Sequence, residues 1–399
     1  MARILFFSIP AHGHVNPTLP LVRELTARGH HVLYYNAEPF RQKIESSGAQ
    51  FMPIDAYLPP APDDLSKRAG KDFASLIEMA ADTTIALETD FAQQIQISPP
   101  DMIIGDSVCL WGKLLAQKYA ISFVCSTTSL AFNQHTARRM KQRPGEILRM
   151  LLGMPRISKK LALLRKHGFE VSDLPALIGN DNDTHTIVYT SRLFQPESHT
   201  FSDRYAFVGP LVQRQYPRQA HDRPLIYVSL GTVLHDAPAF YRACIHALAG
   251  MDCDAVLSIG ESVDPSQLGE IPPNIRIFPR VNQLKVLASA DVFLTHCGMN
   301  SVSESLLCGV PMVLYPQHSE EESVAGRAEE LGAGLRLKKP THRHIRDALC
   351  AVLADEQFRA AARKISEDFI SCGGSSEAAD FIYPLSCSLL LSICRNLRI

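Results

Sequence analysis

The stretch of sequence whose residue types best suit chemistry runs from position 291 to 304 and reads DVFLTHCGMNSVSE. Its apolar run 292–295 predicts a buried parallel strand that breaks at Gly298, and a helix is predicted to begin at Asn300 and Ser301. A strand followed by a glycine turn and a helix start leaves backbone N–H groups unpaired and a partial positive charge pointing outward. Such a position favours the binding of phosphate.

The side chains of this stretch fit a nucleotide ligand. Gly298 would let the backbone approach phosphate oxygens closely. Ser301 and His296 can donate hydrogen bonds to phosphate, and Glu304 can accept them from the hydroxyls of a ribose. On these residues alone, an ordinary loop with an Asn-Ser helix cap and a core histidine remains an equally good interpretation.

The first half of the chain offers a base and a carboxylate. His14 follows the apolar run 4–9, just before a helix predicted over 18–28, and an imidazole with a pKa of about 6.5 suits proton removal from a hydroxyl. Such a base needs a carboxylate to fix its tautomer, and Asp106, at the end of the run 102–105, is the candidate. Asp106 could equally cap the following helix. His12 and His14 could suggest a metal site, but no third ligand is evident.

Other predicted strand ends in the second half carry polar residues that suit a nucleotide sugar. The turn at 229–232 offers hydroxyls and a glycine to a second phosphate or to the sugar. The Arg280 guanidinium could stack on a planar base, the Val281 backbone could pair with its edge, and the acidic pair 320–321 could accept from sugar hydroxyls. The candidate donor-binding residues there are Ser229, Gly231, Thr232, Arg280, Val281, Gln283, Glu320 and Glu321.

These residues are positioned by an alternation of short apolar runs with helical stretches that occurs twice along the chain. Such alternation predicts parallel sheets covered on both faces, with ligands bound at the carboxyl ends of the strands. The long helical stretches 73–97 and 146–167 could wall an apolar pocket or be ordinary core helices. The runs are 4–9, 31–35, 51–54, 102–105, 123–125 and 187–189 in the first half, and 225–230, 255–259, 275–278, 292–295 and 312–315 in the second.

Composition indicates a globular protein with a full core. The 399 residues include 46% hydrophobic and 20% charged residues, and the formal net charge of -1 gives no reason to expect nucleic acid or an anionic membrane as partner. Ten cysteines lie without metal-ligand spacing, which favours buried thiols in a reducing compartment. No stretch approaches the ~20 apolar residues of a membrane span, and the first apolar run is too short for a signal peptide. We therefore expect a cytoplasmic protein.

With these residues in view, the chain resembles glycosyltransferase family 1, specifically the bacterial macrolide and flavonoid UDP-glycosyltransferases. The motifs THCGMNSVSE and LLCGVPMVLYPQ carry the resemblance most specifically, and it extends to about position 383. The further matching pieces are Gly13-His14-x-x-Pro17, IIGDS around Asp106, SLGT at 229–232 and VxQ at 281–283.

The resemblance implies an α/β GT-B fold of two facing Rossmann-like domains, with a C-terminal helix that crosses back to the first. We predict an acceptor-binding domain over 1–212, a polar, proline-bearing linker over 213–224, a nucleotide-sugar-binding domain over 225–375 and the crossing helix over 376–399. The implied reaction is inverting, metal-independent transfer of a hexose, foremost glucose, from a UDP-sugar to a hydroxyl of an apolar small molecule such as a macrolide, flavonoid or other phenolic.

Carried over residue by residue, the resemblance makes His14 the base and Asp106 its partner. Ser229 and Thr232 would face the diphosphate, and Val281 and Gln283 would hold the uridine. The sugar would bind at Glu320, and no cofactor besides the UDP-sugar co-substrate is implied. The residues that would hold the phosphates and ribose are His296, Gly298, Asn300, Ser301 and Glu304.

The chain departs from the family pattern in three places. Glu321 stands where Gln usually follows the acid, which could shift donor choice. Asn282 and Arg280 replace the usual Pro and a frequent aromatic, and the end 384–399 is more apolar than expected, which favours packing on the first domain over a membrane surface.

Other activities stay open from sequence alone. A metal-dependent GT-A enzyme would need an Asp-x-Asp motif, but Asp181-Asn182-Asp183 lies in a polar run typical of a loop. A lipid-acceptor cell-wall transferase would carry a second glycine-rich loop in the first domain, which is not found. An epimerase that acts on the donor alone and a non-catalytic sugar-nucleotide-binding subunit remain as alternatives.

Overall fold

A computed structural model describes residues 1–59, 73–139, 144–179, 182–212, 215–231 and 237–396. The chain forms two parallel sheets, the first ending at Phe207 and the second beginning at Leu225. Their strands consist mainly of aliphatic, aromatic and β-branched residues, and central strands are buried on both faces, as expected where helices cover a parallel sheet.

The first sheet has seven strands in the order β3-β2-β1-β4-β5-β6-β7. The strands are β1 Arg3–Phe7, β2 His31–Asn36, β3 Gln50–Pro53, β4 Met102–Asp106, β5 Ser122–Thr127, β6 Thr186–Val188 and β7 Tyr205–Phe207. Strand β1 pairs with both β2 and β4, with Phe7 opposite Gly105. The strand order therefore reverses at β1, and the crevice between β1 and β4 lies where ligands bind in doubly wound sheets.

The second sheet repeats this topology with six strands in the order β10-β9-β8-β11-β12-β13. The strands are β8 Leu225–Ser229, β9 Asp254–Ser258, β10 Ile275–Phe278, β11 Val292–Thr295, β12 Met312–Leu314 and β13 Gly334–Arg336. The switch point here lies between β8 and β11, where Ser229 is opposite Thr295. The sequence interpretation missed β7 and β13, which are three-residue strands at the edges of the two sheets.

Helices cover both faces of each sheet. In chain order they are α1 His12–Val15, α2 Leu19–Ala27, α3 Arg41–Glu45, α4 Phe73–Ile97, α5 Leu110–Lys118, α6 Gln134–Arg139, α7 Pro144–Lys166, α8 Leu174–Ile178, α9 Pro238–Leu248, α10 Gln283–Leu287, α11 Met299–Leu307, α12 Ser319–Glu330, α13 His342–Ala354, α14 Glu356–Ser371 and α15 Gly374–Asn396. None of the described helices is long and apolar enough to cross a membrane.

Three local expectations differ from the structure. Helix α11 begins at Met299 with Gly298 as its N-cap, so Asn300 and Ser301 lie inside the first turn instead of capping it. Asp106 does not cap the next helix, because α5 begins at Leu110. The first strand ends at Phe7 instead of position 9, since the chain turns into α1 at the edge of the sheet.

Helix α15 crosses back to the first domain, as expected for this fold. Its residues Ala378, Ala379 and Ile382 are buried in the apolar cluster that β1 and α2 form. On its surface, Asp380 accepts a 2.5 Å hydrogen bond from Arg28, which directly follows α2. The predicted packing of the apolar end 384–399 can be followed as far as Leu385, which contacts the same cluster, because the side chains beyond it lie outside the described residues.

Candidate active site

A histidine and an aspartate meet at the switch point of the first sheet. Helix α1 follows β1 directly and places His14 beside the end of β4, where Nδ1 of His14 lies 2.7 Å from Oδ2 of Asp106. The other Asp106 oxygen accepts a hydrogen bond of 2.9 Å from the backbone N–H of Val108. The Asp106 side chain is fully buried and the His14 ring is 24% exposed, so a buried carboxylate holds an imidazole that reaches the surface of the cleft.

The electrostatic environment of His14 favours its protonated form. Burial lowers the pKa of His14, but the negative charge and hydrogen bond of Asp106, together with the charge of Glu320, outweigh burial and raise that pKa above 6.5. Glu320 lies in the first turn of α12, in the second domain. The two domains are therefore close enough at the cleft for a carboxylate of one to act on the imidazole of the other.

Thr128 is a site residue that the sequence interpretation missed. Its Oγ1 lies 3.1 Å from His14 Nδ1, on the same nitrogen that faces Asp106. Thr128 directly follows β5, which pairs with β4, so its hydroxyl reaches the same sheet edge as Asp106. The signal available in the sequence was a hydroxyl residue at the carboxyl end of the neighbouring strand.

The paired histidines of the first turn have different neighbours. His12 packs against the ring of Phe40 with 5.0 Å between centroids, while His14 faces Asp106. Burial, with the nearby charges of Lys43 and Arg280, lowers the pKa of His12. Among the described residues, no group of three or more His, Cys, Asp or Glu side chains could hold a metal ion.

Two glycine turns enclose the imidazole of His296 at the switch point of the second sheet. A Cβ on Gly231 would lie 2.4 Å from Cε1 of His296, and one on Gly298 would lie 2.5 Å from Nε2. Gly231 also has φ +76°, and Cys297 takes φ 72°, which tightens the turn into α11. Only glycine at both positions leaves room for the ring between the two backbones.

The start of α11 has no side-chain cap. Its N-cap Gly298 supplies no side-chain hydrogen bond to the helix. The first N–H groups of the helix therefore have no internal partner, and the helix dipole adds a partial positive charge there. The amide of Asn300, in this first turn, donates a 3.0 Å hydrogen bond across the cleft to the Gly13 carbonyl.

Behind this turn, Gln283, Ser301, Glu304 and Tyr227 form a partly buried hydrogen-bond network. The side-chain N–H groups of Gln283 donate hydrogen bonds of 2.8 Å to the Glu304 carboxylate and 3.3 Å to the Ser301 hydroxyl. The Tyr227 hydroxyl donates a hydrogen bond of 3.2 Å to the side-chain carbonyl oxygen of Gln283. Burial raises the pKa of Glu304, and the hydrogen bond from Gln283 offsets part of that rise. The structure thus brings Gln283, Ser301 and Glu304 together. It adds Tyr227, which lies within a predicted strand and was not expected to belong to the site.

The other predicted donor residues that the structure describes differ from one another in their neighbours. The Ser229 hydroxyl accepts a 3.2 Å hydrogen bond from the N–H of Gly231, at the same turn as His296. Arg280 is two-thirds exposed and pairs with Glu261 at 3.0 Å, and Val281 packs against the core of the second domain. Thr232 lies outside the described residues, as does Asp181 of the Asp-x-Asp spelling.

Glu321 supports the fold of its own helix. One of its oxygens accepts hydrogen bonds from the backbone N–H groups of Gln317 at 2.7 Å and His318 at 3.2 Å, which completes a capping box at the start of α12. Its other oxygen lies 3.9 Å from Nε2 of His296. The carboxylate that replaces the usual Gln therefore joins the α12 cap to the glycine-enclosed histidine.

Known proteins are similar to this sequence over nearly its whole length. The sequence is 32% identical to the NDP-glycosyltransferase YjiC of Bacillus subtilis (strain 168) over 389 residues, covering 94% of this chain and 95% of that protein. The chain belongs to the nucleotide-sugar glycosyltransferases. This glycosyltransferase is also 32% identical to the demethyllactenocin mycarosyltransferase of Streptomyces fradiae, with 96% and 86% of the two chains covered.

Two further comparisons refine the membership of this glycosyltransferase. Residues 242–383 match the model of the erythromycin biosynthesis protein CIII-like, C-terminal domain. The crystal structure of the glycosyltransferase of kitacinnamycin superposes with a TM-score of 0.82 at 28% identity, covering 96% of this chain and 98% of the other. The enzyme is therefore a GT-B glycosyltransferase of the macrolide and natural-product type, which confirms the fold and the family expected from its motifs.

Proposed function

We propose that this glycosyltransferase moves a hexose, foremost glucose, from a UDP-sugar to a hydroxyl of an apolar small molecule, with inversion at the anomeric carbon. The hydrogen bond of 2.7 Å between His14 and Asp106 at the cleft is the observation that carries this proposal. With Nδ1 held by the carboxylate, Nε2 of the neutral ring is the nitrogen available as a base.

In the proposed step, His14 takes the proton of the acceptor hydroxyl as its oxygen attacks the anomeric carbon of the sugar. The bond from that carbon to the β-phosphate oxygen breaks, and the nucleoside diphosphate leaves with both bonding electrons. The buried carboxylate of Asp106 stabilises the resulting imidazolium. Attack from the face opposite to the departing phosphate inverts the anomeric configuration.

The second domain would hold the donor at the turn that encloses His296. We assign the diphosphate to the N-terminus of α11 with His296, Ser229 and Asn300, since the uncapped N–H groups and helix dipole stabilise the charge that develops on the leaving group. The proposed step thus assigns the leaving-group charge to the protein and assigns no role to a metal ion.

The nucleoside and the sugar would contact the remaining donor residues. The ribose diol would bind at Glu304 and the uracil near Val281 and Gln283. Glu320, close to His14, would accept hydrogen bonds from sugar hydroxyls, which favours a fully hydroxylated hexose. We assign Gly231, Arg280 and Glu321 to the donor side of the cleft, since all three belong to the second domain; Thr232 stays in this assignment as an expectation from the sequence.

An exposed apolar side chain beside the catalytic pair supports an apolar acceptor. Val108, whose N–H binds Asp106, is 49% exposed. Burial of such groups against a polyketide or phenolic ring would stabilise the complex by about 25 cal/mol per Å² of apolar surface removed from water. We therefore propose a macrolide, flavonoid or related phenolic acceptor.

The decisive experiment compares the wild type with His14→Ala on UDP-glucose, UDP-N-acetylglucosamine and dTDP-glucose, with phenolic and macrolide acceptors and product detection by mass. We expect a glycosylated acceptor of inverted configuration by NMR, loss of turnover in His14→Ala, and unchanged UDP binding by calorimetry. Turnover unchanged in His14→Ala would remove the base. Conversion of the donor without any acceptor would favour the epimerase alternative, and donor binding without turnover in the wild type would favour the auxiliary subunit.

A further inference from the structure

Helix α7 exposes apolar side chains that no part of the proposed reaction uses. Leu148, Leu151 and Leu152 are 58%, 59% and 71% exposed. The opposite stripe of the same helix, which includes Ile157 and Leu164, is fully buried in the core of the first domain. The three leucines therefore lie on the outer face of the helix, away from the core.

The position of this face follows from how α7 packs on α4. A Cβ on Gly153 would lie 2.7 Å from the Cβ of Ala74, and Lys160 donates a 2.5 Å hydrogen bond to Asp82. Lys160 follows Gly153 along α7, and Asp82 follows Ala74 along α4, so the two helices run in the same direction. Since α4 leads into β4 and therefore begins at the carboxyl edge of the sheet, the leucines before Gly153 extend beyond that edge, on the side where the cleft opens.

Basic residues continue the same face toward the end of the helix. Leu148, Leu152, Lys159 and Lys166 are separated by four, seven and seven residues, which places them along one side of an α-helix. Lys159, Lys166 and Arg149 are exposed and form no ion pair within the described part of the chain. Residues 144–166 contain six Lys and Arg but one acidic residue, although the whole chain has a net charge of -1.

We propose that this outer face of α7 binds reversibly to an anionic phospholipid surface. The leucines would enter the boundary between headgroups and acyl chains, and the three basic side chains would contact lipid phosphates. An apolar turn flanked by basic residues on one face is the pattern that suits such an interface. A second copy of this chain fits less well, because parallel contact would oppose the basic residues of the two copies.

Surface binding would place the mouth of the cleft beside the bilayer. Apolar hydroxylated molecules concentrate in lipid, so an enzyme held there meets its acceptor without first extracting it into water. This consequence rests on the proposed function, whereas binding to lipid does not.

The test is co-sedimentation of the full chain with vesicles of phosphatidylglycerol and phosphatidylcholine in equal parts, and with phosphatidylcholine alone. We expect binding to the anionic vesicles that weakens when salt rises from about 0.1 to about 0.5 M. Leu148→Ser/Leu151→Ser/Leu152→Ser should weaken it about tenfold or more, and Lys159→Gln/Lys166→Gln about tenfold.

Matched variants supply the controls. Ile97→Ser/Ile370→Ser changes exposed apolar residues elsewhere, and Lys338→Gln/Lys339→Gln removes two exposed charges of the second domain; both should bind as the wild type does. An unchanged unfolding midpoint shows that each variant is folded.

Three outcomes would overturn the proposal. They are absence of wild-type binding to anionic vesicles, equal binding to neutral ones, and loss of self-association instead of lipid binding in the leucine variant. Because vesicle binding is measured without donor or acceptor, its failure leaves the proposed transfer reaction untouched, and the reverse also holds.

Discussion

The side-chain amide of Asn300 donates a 3.0 Å hydrogen bond to the carbonyl oxygen of Gly13. Asn300 lies in the first turn of α11, where the diphosphate is proposed to bind, and Gly13 directly precedes His14. One hydrogen bond thus joins the first turn of α11 in the second domain to the turn that carries His14. Loss of either partner would affect both the closure of the cleft and the placement of the imidazole.

Asn300→Ala should therefore reduce kcat/KM by up to about tenfold through this contact alone, since a neutral hydrogen bond contributes about 0.5–1.5 kcal/mol. Any direct contact of Asn300 with phosphate would add to the loss. Steady-state kinetics with both substrates varied would measure it. Asn182→Ala, which removes an exposed amide that also donates to a backbone carbonyl, that of Thr200 at 3.2 Å, is the control, and a full-rate Asn300→Ala enzyme would refute the role of this contact.

The pH dependence of turnover should report the raised pKa of His14. A base must be unprotonated, so kcat/KM should fall as pH decreases through a pKa above 6.5. Asp106→Asn and Glu320→Gln each remove a charge that raises this pKa, so the acid limb should move to lower pH in both variants. Asp106→Asn should also reduce kcat by about two to four orders of magnitude because it disturbs the tautomer. An acid limb that stays in place in both variants would contradict the assignment.

The same raised pKa has a consequence for stability. Protonated His14 is favoured more in the folded than in the unfolded chain, so its contribution is present below about pH 6.5 and is lost as pH rises through the folded pKa. His14→Gln should therefore lower the unfolding midpoint more at pH 5.5 than at pH 9. Thermal denaturation of both proteins at the two pH values would measure this difference. An equal decrease at both pH values would indicate a packing effect alone.

Gly231→Ala should impair donor binding through His296. The added Cβ would lie 2.4 Å from the imidazole, which must then move, and the positive φ adds strain. We expect UDP affinity to fall at least about tenfold, equivalent to about 1.4 kcal/mol. Gly269→Ala has a similar φ of +81° but no atom within 4 Å of the added Cβ, so it isolates the strain. Equal UDP affinity in the two variants would show that the collision has no effect.

Glu321→Gln should change donor preference or efficiency and leave the acceptor range nearly unchanged. The introduced amide can donate a hydrogen bond. Its neutral oxygen is, however, a weaker acceptor for the N–H groups of Gln317 and His318, and the negative charge near His296 is lost. Kinetics on a panel of UDP-sugars would measure the change, with Glu322→Gln on the same turn as control. Glu321→Ala should in addition lose about 1 kcal/mol of stability as a capping variant.

The alternation of strand and helix was readable from the sequence because buried parallel strands form continuous apolar runs. The element boundaries were less accurate where backbone turns decide them. At position 106 the sequence allowed a helix cap or a partner for a base, and only the pairing of β1 with β4 places that carboxylate 2.7 Å from His14. Thr128 lies beside His14 because β5 pairs with β4, and no local sequence pattern specifies that pairing.

The sequence by itself determined the family, the two-sheet architecture and the residues that could form the site, because these depend on residue type, period and motif. The tertiary structure decided which of those residues meet: His14 with Asp106, Asn300 with Gly13, and Gln283 with Glu304. It also assigned Glu321 to a helix cap and exposed the leucines of α7. The physical reason is that contacts between residues far apart in the chain depend on strand order and domain closure, which local sequence does not specify.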